Sequence, residues 1–381
     1  MPYTPPKVWY SATINGTYTE LTGIQSINIR RGRQQYTDPF SQSQCTIELI
    51  PANSYSPALA IGQFIDIRAT NSAASPAFFA GRITDISRSY GIPYNASATI
   101  AAPADRITIT ATGGTGVAAS QAVTADFTID GTYTSITNLF TLLQTYASVM
   151  TTVYGDQYSS AAASTQTITA GAEVWDVANR LLRTAQWFID DDDIGRQLLS
   201  ARSYEVAVLA PGTTTAVTFQ DDNSSGYRYN QIEYLSTVQQ TFSTVVVQPT
   251  GLASQYSTSG DLLNSYTITT YNKPTSDALS LASYVQTLSN QTTPVPFMIS
   301  TTTAVADGVD VLARFVTYPV GVAAQIKFRG TTVNATVQGW QFAFYPDYAS
   351  VGCYLSPSLG TPFTLDSSLF GVLDTNRLGY P

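Results

Sequence analysis

The sequence contains no histidine, and it has only two cysteines among its 381 residues. Without histidine there can be no Ser–His–Asp triad, no histidine general base and no histidine-ligated zinc. Cys45 and Cys353 cannot form a zinc site alone, and each lies among alternating apolar residues, which predicts a buried strand thiol. A disulfide between them stays open. The composition therefore favours a protein that is not an enzyme and that needs no cofactor.

Charge is also scarce. Charged residues make up 12% of the chain, about half the ~25% of an average soluble protein. A surface covered by Ser, Thr, Gln, Asn and Tyr favours broad protein–protein contact, although Thr and Tyr are abundant in any β-rich chain. The net charge of −8 opposes DNA binding, which depends on Lys and Arg. An acidic wall would suit a passage through which DNA slides without adhering.

The densest basic run comprises Arg30, Arg31 and Arg33. It has no interleaved aromatic residues, so we interpret it as a solvated strand or a contact with a neighbouring subunit or ring, not a phosphate site. These three arginines are the predicted contact residues, and we predict no catalytic, cofactor-binding or metal-binding residues.

The acidic run from Asp190 to Asp193 is the main carboxylate cluster. A calcium-binding EF-hand loop starting at Asp190 requires Glu twelve positions along, where Ala201 stands. We therefore predict a solvated hairpin turn, with calcium as the alternative, and the same for the Asp221-Asp222 pair.

Strand patterns dominate the first 112 residues, where apolar residues alternate with polar ones between turn residues. The segments that show this alternation are Ser26–Arg30, Thr46–Ile50, Gln63–Arg68, Ala77–Asp85 and Arg106–Thr110. The glycine-rich Gly113–Gly116 then predicts a hinge, since no lysine follows it as in a phosphate loop.

Three helices are predicted from apolar residues at helical spacing. The first is capped by Ser135 and runs to Met150, and the second runs from Ala172 to Gln186. The third follows Ser276 and carries an apolar stripe that ends at Leu288. Trp187–Ile189 predicts a strand that turns through the acidic run into Gln197–Leu199. The alternating Trp340, Phe342 and Phe344 predict core, with carbohydrate stacking as the alternative.

The predicted fold class is mainly β with a smaller α+β insertion, built from tube-like barrel or sandwich domains. The predicted division is 1–112 (first β domain), 113–203 (α+β insertion), 204–250 (β segment), 251–296 (helical connection) and 297–381 (second β domain). The start of the chain resembles no export leader, and no apolar run approaches a membrane span. We therefore expect synthesis in the cytoplasm without export.

Several segments, in this order, resemble one family, the tail-tip hub proteins of long-tailed bacteriophages. The segments are INIRRGRQQYTDPF (27–40) with CTIELI (45–50), IGQFIDIR (61–68) with FFAGRITDI (78–86), EVWDVANRLLRTAQWFIDDDDIGRQLLSAR (173–202), TSDALSLASYV (275–285), and the final VQGWQFAF, YLSP and GVLDTNRLGY. The resemblance covers nearly the whole chain.

This resemblance implies a homotrimer whose two tube-like β domains per subunit create pseudo-sixfold symmetry. The implied location is the virion tail tip. The implied partners are the distal tail protein ring, the tape measure protein and tail fibre or other tip proteins, with DNA only as passing cargo. No extension for receptor binding or cell-wall degradation follows the hub segments, so those roles would fall to other proteins.

Two alternatives remain at this point. A receptor- or carbohydrate-binding tail protein would need exposed loop aromatics, for which Tyr133, Tyr227, Tyr229 and Tyr256 are candidates. A glycosidase would need two carboxylates as acid and base, and only five of the 26 acidic residues are Glu.

Overall fold

The computed structural model describes residues 3–13, 16–51, 57–69, 77–92, 104–147, 150–154, 162–191, 205–209, 217–221, 226–235, 241–259, 264–290, 294–303 and 320–358. Side chains of 150–154 and 205–209 lie outside that description. The predicted Gln197–Leu199 strand, Asp192, Asp193, Asp222 and the residues after 358 also lie outside it.

The described chain begins with seven strands and then enters a mixed region. The seven strands are β1 (Lys7–Ser11), β2 (Thr19–Leu21), β3 (Ile24–Gly32), β4 (Gln44–Leu49), β5 (Phe64–Arg68), β6 (Ala77–Ser89) and β7 (Arg106–Thr112). The mixed region comprises α1 (Gly114–Ala119), β8 (Phe127–Ile129), α2 (Ser135–Leu142), a π-helical turn (Leu143–Ala147), β9 (Met150–Tyr154), β10 (Gln166–Ile168), α3 (Val174–Ala185), β11 (Phe188–Asp191) and β12 (Glu205–Leu209).

The rest of the described chain is again mostly strand. Its elements are β13 (Val217–Gln220), β14 (Tyr227–Arg228), β15 (Gln231–Glu233), β16 (Thr244–Pro249), β17 (Gln255–Thr258), β18 (Ser265–Thr270), α4 (Thr275–Ser289), β19 (Met298–Thr302), β20 (Ala323–Phe328), β21 (Thr331–Phe344) and β22 (Ala349–Pro357). The predicted mainly β fold class is confirmed.

One large sheet joins strands from both ends of the described chain. Its order is β14-β13-β20-β21-β3-β4-β7-β6-β5-β1-β2, and β22, β19 and β15 branch from β21. The contact between the two halves is the antiparallel pairing of β3 with β21, from Gly32 opposite Gly339 to Ile27 opposite Phe344. The first and last predicted domains therefore share a sheet, while the domain boundaries themselves stay a prediction.

Strand β21 can serve both halves because it changes neighbours along its length. Its first part, Thr331–Thr336, pairs with β20, and its last part pairs with β3. A register shift between Val337 and Gly339 marks the change. A side chain at Gly339 would approach the backbone carbonyls of Arg31 and Arg33 too closely, so only glycine lets β3 enter the sheet here.

The main core lies on the face of this sheet that carries the aromatic stripe of β21. Trp340, Phe342 and Phe344 are fully or almost fully buried, and Phe78 of β6 packs 5.9 Å from the ring of Phe342 and 4.7 Å from that of Phe344. The prediction that this stripe is core is confirmed, and the carbohydrate-stacking alternative for it is wrong.

A second, smaller core belongs to the outer unit, formed by β16, β17, β18 and α4. Strand β16 pairs with β17 on one side and with β18 on the other. Helix α4 covers this three-stranded sheet with a buried stripe that includes Ala278, Leu281 and Val285. The predicted stripe of the third helix is confirmed.

The other predicted helices are confirmed in part. Helix α3 agrees with the prediction to within two residues at each end. Helix α2 is capped by Thr134, not Ser135, because the Thr134 hydroxyl accepts a hydrogen bond from the N–H of Thr137 at 3.2 Å. It also ends early, in a π-helical turn, and the predicted end at Met150 lies in β9. Buried Ser135 instead faces the core.

The two cysteines are buried strand residues, as predicted, on β4 and β22. Both thiols are free, so the possible disulfide is wrong. Burial raises the pKa of each thiol well above its usual range, which keeps both protonated and unreactive.

The Phe342→Ala variant tests the central packing. Removing a fully buried ring from between Phe78 and Phe344 should lower the free energy of unfolding by about 3–5 kcal/mol. Chemical denaturation would measure this, with Tyr133→Ala as control, since Tyr133 is 54% exposed and its loss should cost less than about 0.5 kcal/mol. Equal costs for the two variants would contradict the assigned core.

Candidate functional site

The three predicted contact arginines occupy different environments along β3 and the turn that follows. Arg30 is exposed and lies over the ring of Tyr354 at 6.0 Å. Arg31 is 1% exposed, and Arg33 is half-buried. The interpretation of the run as a solvated strand is therefore wrong for Arg31. The alternation of a strand places Arg30 and Arg31 on opposite faces.

Arg31 forms a buried ion pair with Asp190 of β11. Its Nε lies 3.9 Å from the Asp190 carboxylate, and its guanidinium lies over the Phe342 ring at 5.7 Å. Two of its nitrogens, Nε and Nη2, have no hydrogen-bond partner among the described residues. Asp190 also accepts the backbone N–H of Val320 at 3.2 Å. This pair therefore fixes β11 against both halves of the large sheet.

Arg33 makes a second link where β3, β21 and β11 meet. We call this place the arginine junction, and it comprises Arg31, Arg33, Asp190 and Gln338. Its Nε donates to the side-chain oxygen of Gln338 at 2.7 Å, and its guanidinium stacks over Phe40 at 4.3 Å and Phe188 at 5.4 Å. Removal from water lowers the pKa of Arg33 to about 10, so the group stays charged at neutral pH. It thus joins β21 to the aromatic residues that precede β4 and begin β11.

Asp191 connects the junction to α1. Its carboxylate accepts the backbone N–H of Thr115 at 2.7 Å and the Thr115 hydroxyl at 3.1 Å. A side chain at Gly113 would run into this carboxylate, so glycine is required for the close approach. Burial raises the pKa of Asp191 to about 6, the charge of Asp190 adds to the effect, and the hydrogen bonds oppose it.

This arrangement corrects the prediction for the acidic run. Asp190 and Asp191 are each 2% exposed and belong to a strand, so for them the solvated-turn prediction is wrong. Gly114 and Gly116 lie within α1, and the hinge predicted over Gly113–Gly116 stays a prediction. No turn residue separates the acidic run from Trp187-Phe188-Ile189. This feature of the sequence could have predicted that the strand continues into Asp190 and Asp191. Nothing in the sequence around Thr115 indicated that this residue would bind Asp191.

The second predicted carboxylate site, Asp221-Asp222, is described only at Asp221. Asp221 is exposed and accepts the N–H of Arg329 at 2.7 Å. Within the described ranges no cluster of three or more His, Cys, Asp or Glu residues is placed to hold a metal ion. No helix in the described chain has the length and apolar character of a bilayer-crossing helix.

The four tyrosines of the carbohydrate-binding alternative do not form one surface. Tyr133 and Tyr256 are 54% and 65% exposed and lie on separate units. Tyr227 and Tyr229 are half-buried, and the Tyr229 hydroxyl donates to the carbonyl of Lys327 at 3.0 Å.

Comparison with known proteins rests on structure, since no family model matches the sequence and no curated protein does. The 43 kDa tail protein of prophage MuSo2 from Shewanella oneidensis matches with a TM-score of 0.59 and 11% identity, over 92% of this chain and 98% of that one. A tail protein from Neisseria meningitidis MC58 matches with a TM-score of 0.61 and 10% identity, over 93% and 97%.

The fold is that of phage tail proteins. At these identities the match concerns architecture, and the resemblance deduced from the sequence is confirmed at that level. Within this tail-protein fold, the arginine junction is the place where the sheet, α1 and β11 meet.

Variants of Arg31 and Asp190 test the buried pair. Asp190→Asn should cost about 3–5 kcal/mol of unfolding free energy because it leaves a buried guanidinium uncompensated. Arg31→Met should cost a similar amount, and the double variant should cost clearly less than the sum. Denaturant titrations of the four proteins would measure the coupling. Strictly additive costs would show that the two charges do not interact.

Asp191 predicts a pH dependence with a definite sign. Its folded pKa of about 6 exceeds the ordinary 3.8, so the folded protein binds this proton more tightly. The contribution to stability is therefore complete below pH 3.8 and is lost as the pH rises through 6. The unfolding free energy of the wild type minus that of Asp191→Asn should fall by on the order of 2–3 kcal/mol between pH 4 and 7. A difference in unfolding free energy that stays constant between pH 4 and 7 would contradict the raised pKa of Asp191.

Proposed function

We propose that this protein is a structural component of a phage tail and that it forms the hub at the tail tip as a homotrimer. In this role it lies below the distal tail protein ring, extends the tail tube and conducts DNA during ejection. The observation that supports this proposal best is the structural match to two tail proteins. The match covers 92% and 93% of this chain, and 98% and 97% of the two tail proteins.

The sheet supports assembly through packed surfaces. Its described edges are β2 and β14, of three and two residues, and β15 at the end of the branch, of three residues. Edges this short are poor templates for adding strands from another chain. We therefore assign subunit contact to side-chain packing across a surface poor in charge, as in obligate interfaces, which are large and apolar.

Arg30 is the member of the predicted contact set that remains available to a partner. Arg31 and Arg33 are engaged inside the chain with Asp190 and Gln338. Arg30 is exposed next to Tyr354, and arginine beside an aromatic ring is a frequent interface feature. We assign to Arg30 a contact with a neighbouring subunit or with the distal ring.

The oligomeric state tests this function. The purified protein should have about three times the 40.9 kDa mass of the chain, and particle images should show threefold symmetry around an open channel. Arg30→Glu should weaken either the trimer or its docking on the distal ring at least several-fold, while Arg106→Glu, an exposed charge reversal on β7, should change neither.

A monomer at micromolar concentration, or turnover of a host envelope glycan in a zymogram, would contradict the hub. Binding on a glycan array by a monomer would instead support the receptor-binding alternative. Equal behaviour of the Arg30 and Arg106 variants would remove Arg30 from the interface and leave the hub proposal to the mass measurement.

A further inference from the structure

A small cavity lies where four parts of the fold converge. Its walls come from the β3–β4 connection, the end of α3, the outer unit and the β21–β22 pair. Its volume is about 60 Å³, above the ~10–15 Å³ that one water needs. It therefore has room for several waters or for one small oxyanion.

Two arginines line this cavity. Arg33 and Arg183 both line it, and they are close enough that the charge of Arg183 helps to lower the pKa of Arg33. Neither cavity arginine takes part in an ion pair with a carboxylate among the described residues. Two like charges on one cavity repel each other, and an anion between them would remove that cost.

Asp38 forms no ion pair with either cavity arginine. Asp38 attracts Arg33 electrostatically, but its carboxylate accepts the backbone N–H of Gln35 at 3.0 Å. Arg33 instead donates to the carbonyl oxygen of Asp38 at 3.2 Å and to Gln338. Asp38 therefore offsets part of the positive charge of Arg33 through space, while Arg33 and Arg183 have no carboxylate within ion-pairing distance among the described residues.

A neutral donor completes the arrangement. Tyr284 lines the cavity, and no hydrogen bond of its hydroxyl is found among the described residues. Burial raises the pKa of Tyr284, so the hydroxyl keeps its proton. Tyr266 differs, since its hydroxyl donates to the carbonyl of Thr37 at 2.6 Å. The walls also include Phe40, Trp187 and Leu288, and apolar walls strengthen charge interactions within.

We propose that this cavity binds a single oxyanion, a carboxylate or a phosphate group, held between Arg33 and Arg183 and hydrogen-bonded by Tyr284. The inference goes beyond the proposed tail function and does not depend on it. A bound oxyanion would connect the outer unit, through Tyr284, to the sheet, through Arg33. The group has two possible sources, a free inorganic ion or the carboxylate side chain of another polypeptide.

Thermal unfolding of the full chain tests the site with two probes, sodium phosphate and N-acetyl-aspartate amide, each against sodium chloride at equal ionic strength. The melting temperature should rise saturably with at least one probe. Arg183→Gln should weaken the apparent affinity about tenfold, as expected for loss of one hydrogen bond to a charged group. Arg106→Gln removes the same charge from an exposed position and should keep the full response.

The two probes distinguish the sources. A response to phosphate that Arg183→Gln weakens supports a free ion, and a response to the aspartate derivative alone supports a side-chain carboxylate. No saturable rise with either probe, or equal responses from the Arg183 and Arg106 variants, overturns the proposal.

A second pair of variants covers loss of folding in Arg183→Gln, which circular dichroism would reveal. Arg183→Lys keeps the charge but loses the two-pronged donor geometry, and Tyr284→Phe removes one hydroxyl. Each should weaken the response several-fold. Unchanged affinity in both would overturn the site.

Discussion

The pairing of β3 with β21 is the constraint on which the rest of the structure depends. It joins segments 305 residues apart at the Arg33–Gln338 hydrogen bond, and it needs a bulge and a glycine at position 339 to admit the second strand. Beneath it, Arg31 reaches Asp190, and Asp191 holds the start of α1. The sheet, the first short helix and β11 are therefore positioned by a few polar contacts in an otherwise apolar interior.

Charge is scarce in the sequence, and part of it is hidden in the fold. Arg31, Arg68, Asp66, Asp190 and Asp191 are all buried, so the surface is poorer in charge than the composition indicates. Buried ion pairs contribute little net stability because desolvation offsets their attraction. Their benefit here is specificity, because a strand in the wrong register would leave an unpaired charge in the core.

The sequence predicts local structure well where periodicity is strong. Strands β3 to β7, helix α3 and the buried stripe of α4 follow from apolar spacing alone, whereas β1 and β2 were not predicted. The junction could not be predicted, because its partners are far apart in sequence and each has an ordinary local interpretation. Arg31 looks like part of a basic run, Asp190 looks like part of a turn, and Gly113 looks like a hinge. Only the sheet order, which periodicity does not contain, brings them together.

The late arrival of β21 has a consequence for synthesis. Every strand from β1 to β7 leaves the ribosome long before the strand that covers β3, and chains emerge at roughly 5–20 residues per second. During that interval β3 is an open edge strand, and its apolar residues include Ile27 and Ile29. Distant pairings of this kind also form slowly. Nascent chains are therefore expected to be open to chaperones, and to mispairing with one another, until β21 has been synthesised.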